Sequence, residues 1–486
     1  MLGKKAVLAA TLKLLLVPAL IVLPPHTFSA EPNLPSLGDT SSSFMSREQE
    51  YQLGRAWLSM LRGAVKTLDD PILKDFVEQS VLGLAETSQL SDKRLTFVAI
   101  DSPQLNAFAA PGGVVGVNGG LFLHAQSEAE FASVMAHELA HLSQRHFARN
   151  LEAQQRMRIP VMTAMLASVI IAAAGGGDAG FAAMASTQAA AIQEQRRFSR
   201  QNELEADRLG LLTLTQAGYD PQAMPAMFER LSRLSQFSQN PPEFLLTHPV
   251  SQTRIADSKN RAAQLNGDGK RDSVAYQMIR ARVQLHYEQS PGLAARRFQA
   301  LLDEHSNDHA AARYGLVLAL TRGGQLDEAE KALKPLLAER SEDVAVNLAR
   351  VELDIARGRY DVALDRIDQL LAVNPANYPL LEAKADTLLR ARRYEESRTV
   401  YDKLASQRPY DPDIWYMVAE IRGLAGDILG VHTARAEYFM LAGDLDQAAQ
   451  QLELAARRAE GNFVESSRIE ARQEQLARLR KLLEEM

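Results

Sequence analysis

Residues 134–147 of the chain read VMAHELAHLSQRHF and hold three of its ten histidines, His137, His141 and His146. On a helix, His137 and His141 are separated by about 6 Å of rise along nearly the same face, because they are four residues apart. Two imidazoles in this arrangement can bind one metal ion and supply half of a tetrahedral zinc site. Glu138 stands beside the metal rather than on it, where it can accept a proton from a metal-bound water. The spacing therefore predicts a zinc-dependent hydrolase with Glu138 as the general base.

Two other interpretations of this stretch remain open at this point. The helix could be one whose histidines are satisfied by packing, or it could hold a closed structural zinc site, which has no need of Glu138. His146 lies five residues after His141, about 140° round a continuous helix. We therefore expect His146 to face away from the metal and to have a surface or packing role.

The third ligand must come from elsewhere in the chain, and residues 198–210, FSRQNELEADRLG, are the best candidate. Glu203 and Asp207 are four residues apart and share one face of a predicted helix. Glu205 lies about 200° round from Glu203 and points elsewhere. We therefore predict Glu203 as the metal ligand, with Asp207 accepting a hydrogen bond from a ligand imidazole and fixing its tautomer.

Composition limits the kind of site that is possible. The chain has 486 residues, too many for one hydrophobic core, and two or three domains are expected. It has no cysteine, so disulfide bonds and thiolate ligands are excluded, and a metal can use only histidine, carboxylate and water. The formal net charge of −6 gives no indication of nucleic acid as a partner.

Capping signals locate the helices that must hold these residues. Ser127 and Glu130 form a predicted capping box just before the HELAH motif, and the residues that follow have helical apolar periodicity. Ser46 and Gln49 form another at the start of an amphipathic helix, and a further helix is expected after Pro71. The metal motif is therefore expected inside a mainly helical domain.

Two stretches before the motif predict β-structure. Residues 94–102, RLTFVAIDS, read as a strand, and residues 106–122, NAFAAPGGVVGVNGGLF, read as two short strands around a Pro-Gly-Gly turn. The glycines of the second stretch lack the spacing of a phosphate-binding loop. An exposed edge of this sheet beside the metal could bind a substrate backbone as an added strand.

The first residues have the pattern of an export signal. Residues 1–30 have a basic start, an apolar run and small residues at a plausible cleavage point, which predicts a secretory signal peptide. Residues 31–45 are rich in proline and serine and are expected to be a flexible lead-in. Residues 159–191 contain an apolar run too short to span a bilayer. A core helix, a mobile lid near the site and a membrane contact remain open for that segment.

From about residue 270 the chain is helical and repetitive, and several columns of residues recur with a period of 34. The columns include Ala295, Ala329 and Ala363; Leu302, Leu336, Leu370 and Leu404; and Gly324, Gly358 and Gly426, with Arg392 in the place of one glycine. The pattern resembles tetratricopeptide repeats, whose helix pairs bury their faces against neighbouring units and build a superhelix. We expect an all-α repeat domain over residues 270–486.

The motifs as a set resemble the M48 family of zinc metalloproteases. HELAH and ELEAD are preceded by NAFAAPGG and followed by THPVSQTRI, and in that family an HExxH helix and a later ExxxAD supply two histidines and one glutamate. The resemblance implies that His137, His141 and Glu203 bind one Zn²⁺, with Asp207 as the acid behind them. It also implies an α+β fold, a mainly helical zincin-type domain with a small β-sheet over residues 46–265.

His248, in LLTHPVSQTRI, is a lone histidine before a proline, and the resemblance puts it beside the protease site. Two roles remain open for it. It could donate to the developing oxyanion, or it could occupy the fourth zinc position, displace the water and keep the resting enzyme inactive until its loop moves. Arg254 could tether this loop, although a surface salt bridge is as good an interpretation.

Members of this family that combine an export signal with tetratricopeptide repeats are periplasmic proteases and chaperone-like factors for outer-membrane protein assembly in Gram-negative bacteria. The resemblance thus implies a periplasmic zinc endopeptidase. Outer-membrane proteins would be its clients and substrates, and the assembly machinery would be the partner of its repeats. A chaperone or scaffold whose zinc domain is mainly structural remains the alternative, and Glu138 distinguishes the two because only catalysis requires it.

Overall fold

The computed structural model describes residues 45–153, 192–237, 242–265, 267–303 and 309–485. The described chain is mainly helical, with one three-stranded sheet near its beginning. An α+β domain that contains the sheet is followed by an all-helical array, which is the fold class that the sequence predicts.

The α+β domain holds both metal motifs, HELAH in the fourth and ELEAD in the sixth of its described helices. In chain order its elements are α1 (Arg47–Ala64), α2 (Pro71–Thr87), β1 (Thr96–Ile100), β2 (Ala107–Ala110), β3 (Val114–Asn118), α3 (Gly119–His124), α4 (Glu128–Ser143), α5 (His146–Ala153), α6 (Ile192–Gln216), α7 (Ala223–Phe237), α8 (Phe244–Thr247) and α9 (Gln252–Ala262).

The sheet has the strand order β1-β3-β2. β1 runs parallel to β3, whereas β2 is antiparallel to β3 with Ala107 opposite Val117. The predicted Pro-Gly-Gly turn joins β2 and β3, and Gly112 and Gly113 have φ values of 72° and 75°, a left-handed conformation that glycine adopts without strain. β2 is therefore an edge strand, and it packs against α4.

The capping signals are confirmed to different extents. The Ser46 hydroxyl accepts from the N–H of Gln49, and the Gln49 side chain accepts from the N–H of Ser46, so the predicted box is complete. At α4, Ser127 accepts from the N–H of Glu130, but the Glu130 carboxylate accepts from Gln126 instead of returning to Ser127. The second box is therefore only half formed, although α4 begins where it was predicted to begin.

A glycine allows the two motif helices to approach closely. Gly210 of α6 faces His137 of α4, and a Cβ atom at position 210 would lie 3.0 Å from both the N and the Cα of His137. Real Cβ atoms rarely approach backbone atoms so closely, because the contact is repulsive. The absence of a side chain at Gly210 therefore brings Glu203 and Asp207, which lie one to two turns earlier in α6, against the HELAH face.

The second part of the chain consists of consecutive helix pairs. These helices are α10 (Val274–Tyr287), α11 (Pro291–Asp303), α12 (His309–Arg322), α13 (Leu326–Glu339), α14 (Val344–Ala356), α15 (Tyr360–Val373), α16 (Tyr378–Arg390), α17 (Tyr394–Gln407), α18 (Pro412–Leu424), α19 (Ile428–Leu441), α20 (Leu445–Arg458) and α21 (Phe463–Glu485). The periodic glycines explain the turns, because Gly324, Gly358 and Gly426 all have φ values between 72° and 80°. Arg392 adopts the same left-handed conformation, with φ of 61°, although it carries a side chain.

α10 belongs to two hydrophobic cores at once. Tyr276 and Ile279 pack into the core of the α+β domain, whereas Met278 and Leu285 on the opposite face pack into the core of the first repeats. α10, which follows the boundary expected between residues 265 and 270, therefore joins the core of the α+β domain to the core of the first repeats.

The repeats also return to the α+β domain. In that contact α16 packs against α2, and α1 packs against α19 and α21. Lys74 of α2 pairs with Asp413 of α18 at 2.6 Å, and Glu78 of α2 pairs with Arg408 at 2.8 Å. The array therefore touches the α+β domain through several helices of its second half.

None of the helices described is long and apolar enough to span a membrane. Residues 159–191, for which a core helix, a lid and a membrane contact were left open, lie outside the described residues. The predicted signal peptide and nearly all of the predicted lead-in also lie outside them.

Candidate metal centre

Four side chains meet at one point between α4, α6 and the loop after α8. His137, His141, Glu203 and His248 each offer one ligand atom, and these four atoms lie within 4.8 Å of one another. His137 and Glu203 are each 3% exposed or less, and His248 is 9% exposed. The structure thus brings together the three predicted ligands and the histidine that was predicted beside them.

The distances between these atoms fit a metal. Nε2 of His137 lies 3.1 Å from Nε2 of His141 and 3.4 Å from Oε2 of Glu203. Nε2 of His141 lies 3.3 Å from Oε1 of Glu203. A tetrahedron of ligands at 2.0–2.1 Å from zinc has edges of about 3.3–3.4 Å. The distances, which reach Oε2 of Glu203 from His137 and Oε1 from His141, are close to the edges of such a tetrahedron, and none of the donors is a thiolate.

His248 completes the cluster through its Nδ1 atom. This atom lies 3.1 Å from Oε1 of Glu203 and 3.4 Å from Nε2 of His137. The backbone N–H of His248 donates to the carbonyl of Phe244 at 2.8 Å, and the two rings are 4.8 Å apart. The short helix α8 therefore holds the imidazole of His248 against the other three donors.

Asp207 and Arg254 brace the cluster from behind. Oδ1 of Asp207 lies 3.0 Å from Nδ1 of His137, on the side of the ring away from the cluster. Arg254 donates to both oxygens of Asp207 at 2.7 and 2.6 Å, pairs with Glu203 at 2.9 Å and donates to the carbonyl of Pro249 at 2.8 Å. Arg254 is only 4% exposed, so the surface salt bridge that the sequence left open is wrong and the tether is correct.

The charges of these groups suit cation binding. Burial lowers the pKa of His141 to about 3, which leaves this ring neutral. Burial opposes the charge of Glu203 as well, but the neighbouring histidines outweigh it and hold the pKa of Glu203 well below its ordinary value. Burial opposes the charge of His137, but Asp207 and Glu203 outweigh it and raise the pKa of His137 to about 9. An ionised Glu203 and a neutral His141 suit a divalent cation, whereas His137 would release a proton when a metal binds.

Glu138 is next to the donors but is not one of them. It is 1% exposed, and its Oε1 makes no hydrogen bond to a described residue, although Nε2 of His248 is 3.5 Å away. Burial raises the pKa of Glu138, against the opposing effect of His248 and His137 and of a hydrogen bond from the backbone of Ala109 in β2. A buried carboxylate with one unused oxygen beside a metal site is arranged to exchange a proton with a water or a substrate.

Comparisons with known proteins match both parts of the chain. Residues 71–262 match the model of peptidase family M48, and residues 285–351 and 354–421 match a tetratricopeptide-repeat model. The chain is 32% identical over 463 residues to the beta-barrel assembly-enhancing protease of Escherichia coli (strain K12), covering 94% of each chain. The chain belongs to the beta-barrel assembly-enhancing protease family of M48 peptidases.

Two further relatives show how far the likeness extends. The putative beta-barrel assembly-enhancing protease of Vibrio cholerae serotype O1 is 33% identical over 445 residues, 91% of this chain and 92% of its own. The mitochondrial metalloendopeptidase OMA1 of Arabidopsis thaliana is 30% identical over 189 residues, 39% of this chain and 36% of its own. This M48 peptidase is therefore a metalloendopeptidase with tetratricopeptide repeats.

His146 of this M48 peptidase lies outside the donor cluster and is buried, as predicted, but the continuous helix assumed in that prediction is wrong. α4 ends at Ser143, Arg145 adopts a left-handed φ of 49°, and α5 begins at His146 itself. His146 is 3% exposed, and its Nδ1 lies 2.9 Å from Nδ1 of His141. No glycine or proline marks the end of α4, so the helix break that creates this contact had no signal in the sequence. Glu205 does point away from the donors, as predicted, and it pairs with His146 at 3.2 Å.

Proposed function

We propose that this M48 peptidase is a zinc-dependent endopeptidase in which His137, His141 and Glu203 hold one Zn²⁺. The observation that carries the proposal is the convergence of these donors, at the edge lengths of a zinc tetrahedron, beside the unused oxygen of Glu138. Bound zinc would polarise a scissile carbonyl and lower the pKa of a water toward 7. Asp207 would hold His137 in the tautomer that leaves its Nε2 free for the metal.

Glu138 would carry the proton through the reaction. As general base it takes a proton from the attacking water, and as general acid it then donates that proton to the leaving amine. The raised pKa of Glu138 suits both steps, because a more basic carboxylate accepts the proton readily and its acid form persists until the amine leaves. An extended substrate that pairs with the edge strand β2 would bring its peptide bond beside Glu138, since the backbone of Ala109 in β2 already contacts that carboxylate.

His248 would gate this chemistry. Its Nδ1 stands among the donors, as a fourth ligand would, so the loop after α8 would occupy the position that an attacking water needs. Movement of the loop would open the site to substrate. Once displaced, His248 would be free to donate to the developing oxyanion, the other role that the sequence leaves open. We expect His248→Ala to raise basal proteolysis, and an unchanged rate would disprove the gate.

We place this activity in the periplasm of a Gram-negative bacterium, in the assembly and quality control of outer-membrane proteins. Support comes from the signal-like residues 1–30, from the repeats and from the names of the relatives. In this proposal the protease domain spans residues 46–265 and the repeat domain spans residues 270–486. Outer-membrane proteins are the clients, and the repeats bind the assembly machinery.

Glu138→Gln tests the proposal most directly. Gln keeps the size and the polarity of the side chain but cannot accept the proton, so we expect cleavage of an unfolded outer-membrane β-barrel protein to fall by about 10²–10⁴-fold. Zinc content should stay at one ion per chain, because Glu138 is not among the donors. If zinc content holds while client degradation and cell phenotypes are intact, the chaperone or scaffold function with a structural zinc domain is correct instead.

A further inference from the structure

An imidazole that is not part of the donor cluster stands directly behind one of the proposed ligands. Nδ1 of His146 lies 2.9 Å from Nδ1 of His141, and the two rings meet edge to face with centroids 4.8 Å apart and an interplanar angle of 77°. The break between α4 and α5 creates this contact, since a continuous helix would carry His146 away. The position is therefore built by the backbone and is not an accident of one flexible side chain.

The contact involves the nitrogen of His141 that the metal would not use. Nε2 of His141 faces the cluster, 3.1 Å from His137 and 3.3 Å from Glu203. A ring nitrogen that binds a metal must offer its lone pair, so the proton of a neutral His141 must be on Nδ1. That N–H requires an acceptor, and Nδ1 of His146 is within hydrogen-bond distance of it.

The far side of His146 settles which of its nitrogens can accept. Nε2 of His146 lies 3.2 Å from Oε2 of Glu205, and Arg149 donates to the same oxygen at 2.9 Å. A carboxylate can only accept from an imidazole, so His146 carries its proton on Nε2 and leaves Nδ1 free to accept from His141. Each group in the line from Glu205 to His146 to His141 thus fixes the proton position of the next.

The two histidines of the HELAH motif are therefore oriented by different means. A carboxylate, Asp207, stands behind His137, whereas a neutral imidazole stands behind His141. We propose that His146 is a positioning residue for His141: it accepts the Nδ1 proton and so fixes the tautomer that leaves Nε2 open to the metal. This inference rests on the proposed function of the site as a zinc centre.

Two replacements at one position separate acceptance from packing. In the full-length protein, His146→Phe keeps a planar ring of similar size but removes the acceptor, whereas His146→Asn places an amide oxygen near the position of Nδ1. We expect His146→Phe to weaken zinc binding about 10–100-fold, the usual loss when a partner behind a metal ligand is removed, and His146→Asn to recover most of the affinity. His124→Phe, a change of the same type in α3, should bind zinc like the wild type.

Zinc affinity is measured by competition with a chromogenic chelator, and the tautomer of His141 is read from ¹⁵N shifts of histidine-labelled, zinc-free protein. The Nδ1–H form should dominate in the wild type and lose its dominance in His146→Phe. If His146→Phe fails to fold, Glu205→Met provides the second test, because it removes the acceptor for His146 and should also weaken zinc binding and mix the tautomers.

Three results would overturn the inference. The first is a folded His146→Phe protein that binds zinc as tightly as the wild type, which leaves the zinc site itself standing. The second is a folded His146→Asn protein as weak as His146→Phe, which assigns the effect to the shape of the ring. The third is a wild-type protein that binds no zinc, which overturns the proposed function together with this inference.

Discussion

Arg254→Met offers a sharp test of how the proposed metal centre is held together. Arg254 is 4% exposed and makes four short contacts, two with Asp207, one with Glu203 and one with the carbonyl of Pro249. Methionine has a similar length and fills the same space without the charge. The replacement therefore leaves two buried carboxylates without their shared cation, and it releases the loop that carries His248.

The expected cost follows from that geometry. Removing one partner of a buried ion pair destabilises a protein by about 3–5 kcal/mol, because the remaining charge stays buried and unpaired. We expect a loss of that size in the free energy of unfolding of the zinc-free protease domain, which is a change of roughly two to four powers of ten in the unfolding equilibrium constant. The loss should be smaller in the zinc-bound protein, since the ion compensates the charge of Glu203.

Low pH should reduce the destabilisation caused by Arg254→Met, and the direction of this change follows from the pKa of Asp207. Burial raises the pKa of Asp207, but Arg254 and His137 outweigh burial and hold it below its ordinary value. A depressed pKa adds stability that is present above the unfolded pKa of about 3.9 and disappears as pH falls through the folded pKa. The difference between Arg254→Met and the wild type should therefore shrink below about pH 4.

Urea unfolding, followed by the fluorescence of Trp57 in α1 with Trp415 replaced by phenylalanine in every protein compared, measures the loss in the zinc-free protein at several pH values. Arg261→Met is the matched control, because Arg261 lies on the same helix, is 42% exposed and pairs with Asp257 four residues away. A helical pair of this kind contributes about 0.3–0.5 kcal/mol. Equal effects of the two replacements would refute the reasoning, since burial of the Arg254 pair would then carry no energetic weight.

Three further predictions use matched pairs or metal removal. Gly210→Ala should destabilise the protein by about 1–3 kcal/mol and weaken zinc binding, because the new Cβ would press on His137. Gly83→Ala, whose Cβ would have nothing within 4 Å, should instead stabilise α2 by about 1 kcal/mol. Zinc titration and urea unfolding check both variants, and equal effects would contradict the packing argument. Arg392→Gly should raise stability by about 1 kcal/mol, since its left-handed φ strains a residue with a side chain, and Gly358→Ala should lower stability by a similar amount; thermal unfolding checks the opposite signs. A chelator should lower the unfolding midpoint of the wild-type protein through loss of bound metal, and zinc but not magnesium should restore it; an unchanged midpoint would argue against a bound metal.

Features that follow from a regular spacing of residues along the chain could be predicted from the sequence. The four-residue spacing of His137 and His141 fixes their common helical face, and the same spacing selects Glu203 over Glu205 for the position beside them. The glycines that recur with a period of 34 mark left-handed turns, and Arg392, which replaces one of them, has the same left-handed conformation. In each case one local rule of backbone geometry determines the outcome.

Features that depend on contacts between distant segments were not readable. Arg254 had two equally good interpretations, because nothing in its neighbourhood in the sequence shows that it is buried against Asp207. The contact of His146 with His141 depends on a helix end at Ser143 that no glycine or proline marks. The sequence of α10 does not show that the helix is buried on two faces, because one face packs into the core of the α+β domain and the other into the core of the first repeats.

The packing of α1 against α19 and α21 affects how the repeat array can move. Repeat proteins of this type usually fray from a free end, because each unit contacts only its neighbours. Here the first helix of the array is shared with the protease core, and the last helices rest on α1, so neither end is free. Both ends of the repeat array are therefore packed against the α+β domain. Opening would have to detach α16 and α18 from α2 or α19 and α21 from α1, and a pull on the repeats would reach the catalytic domain directly.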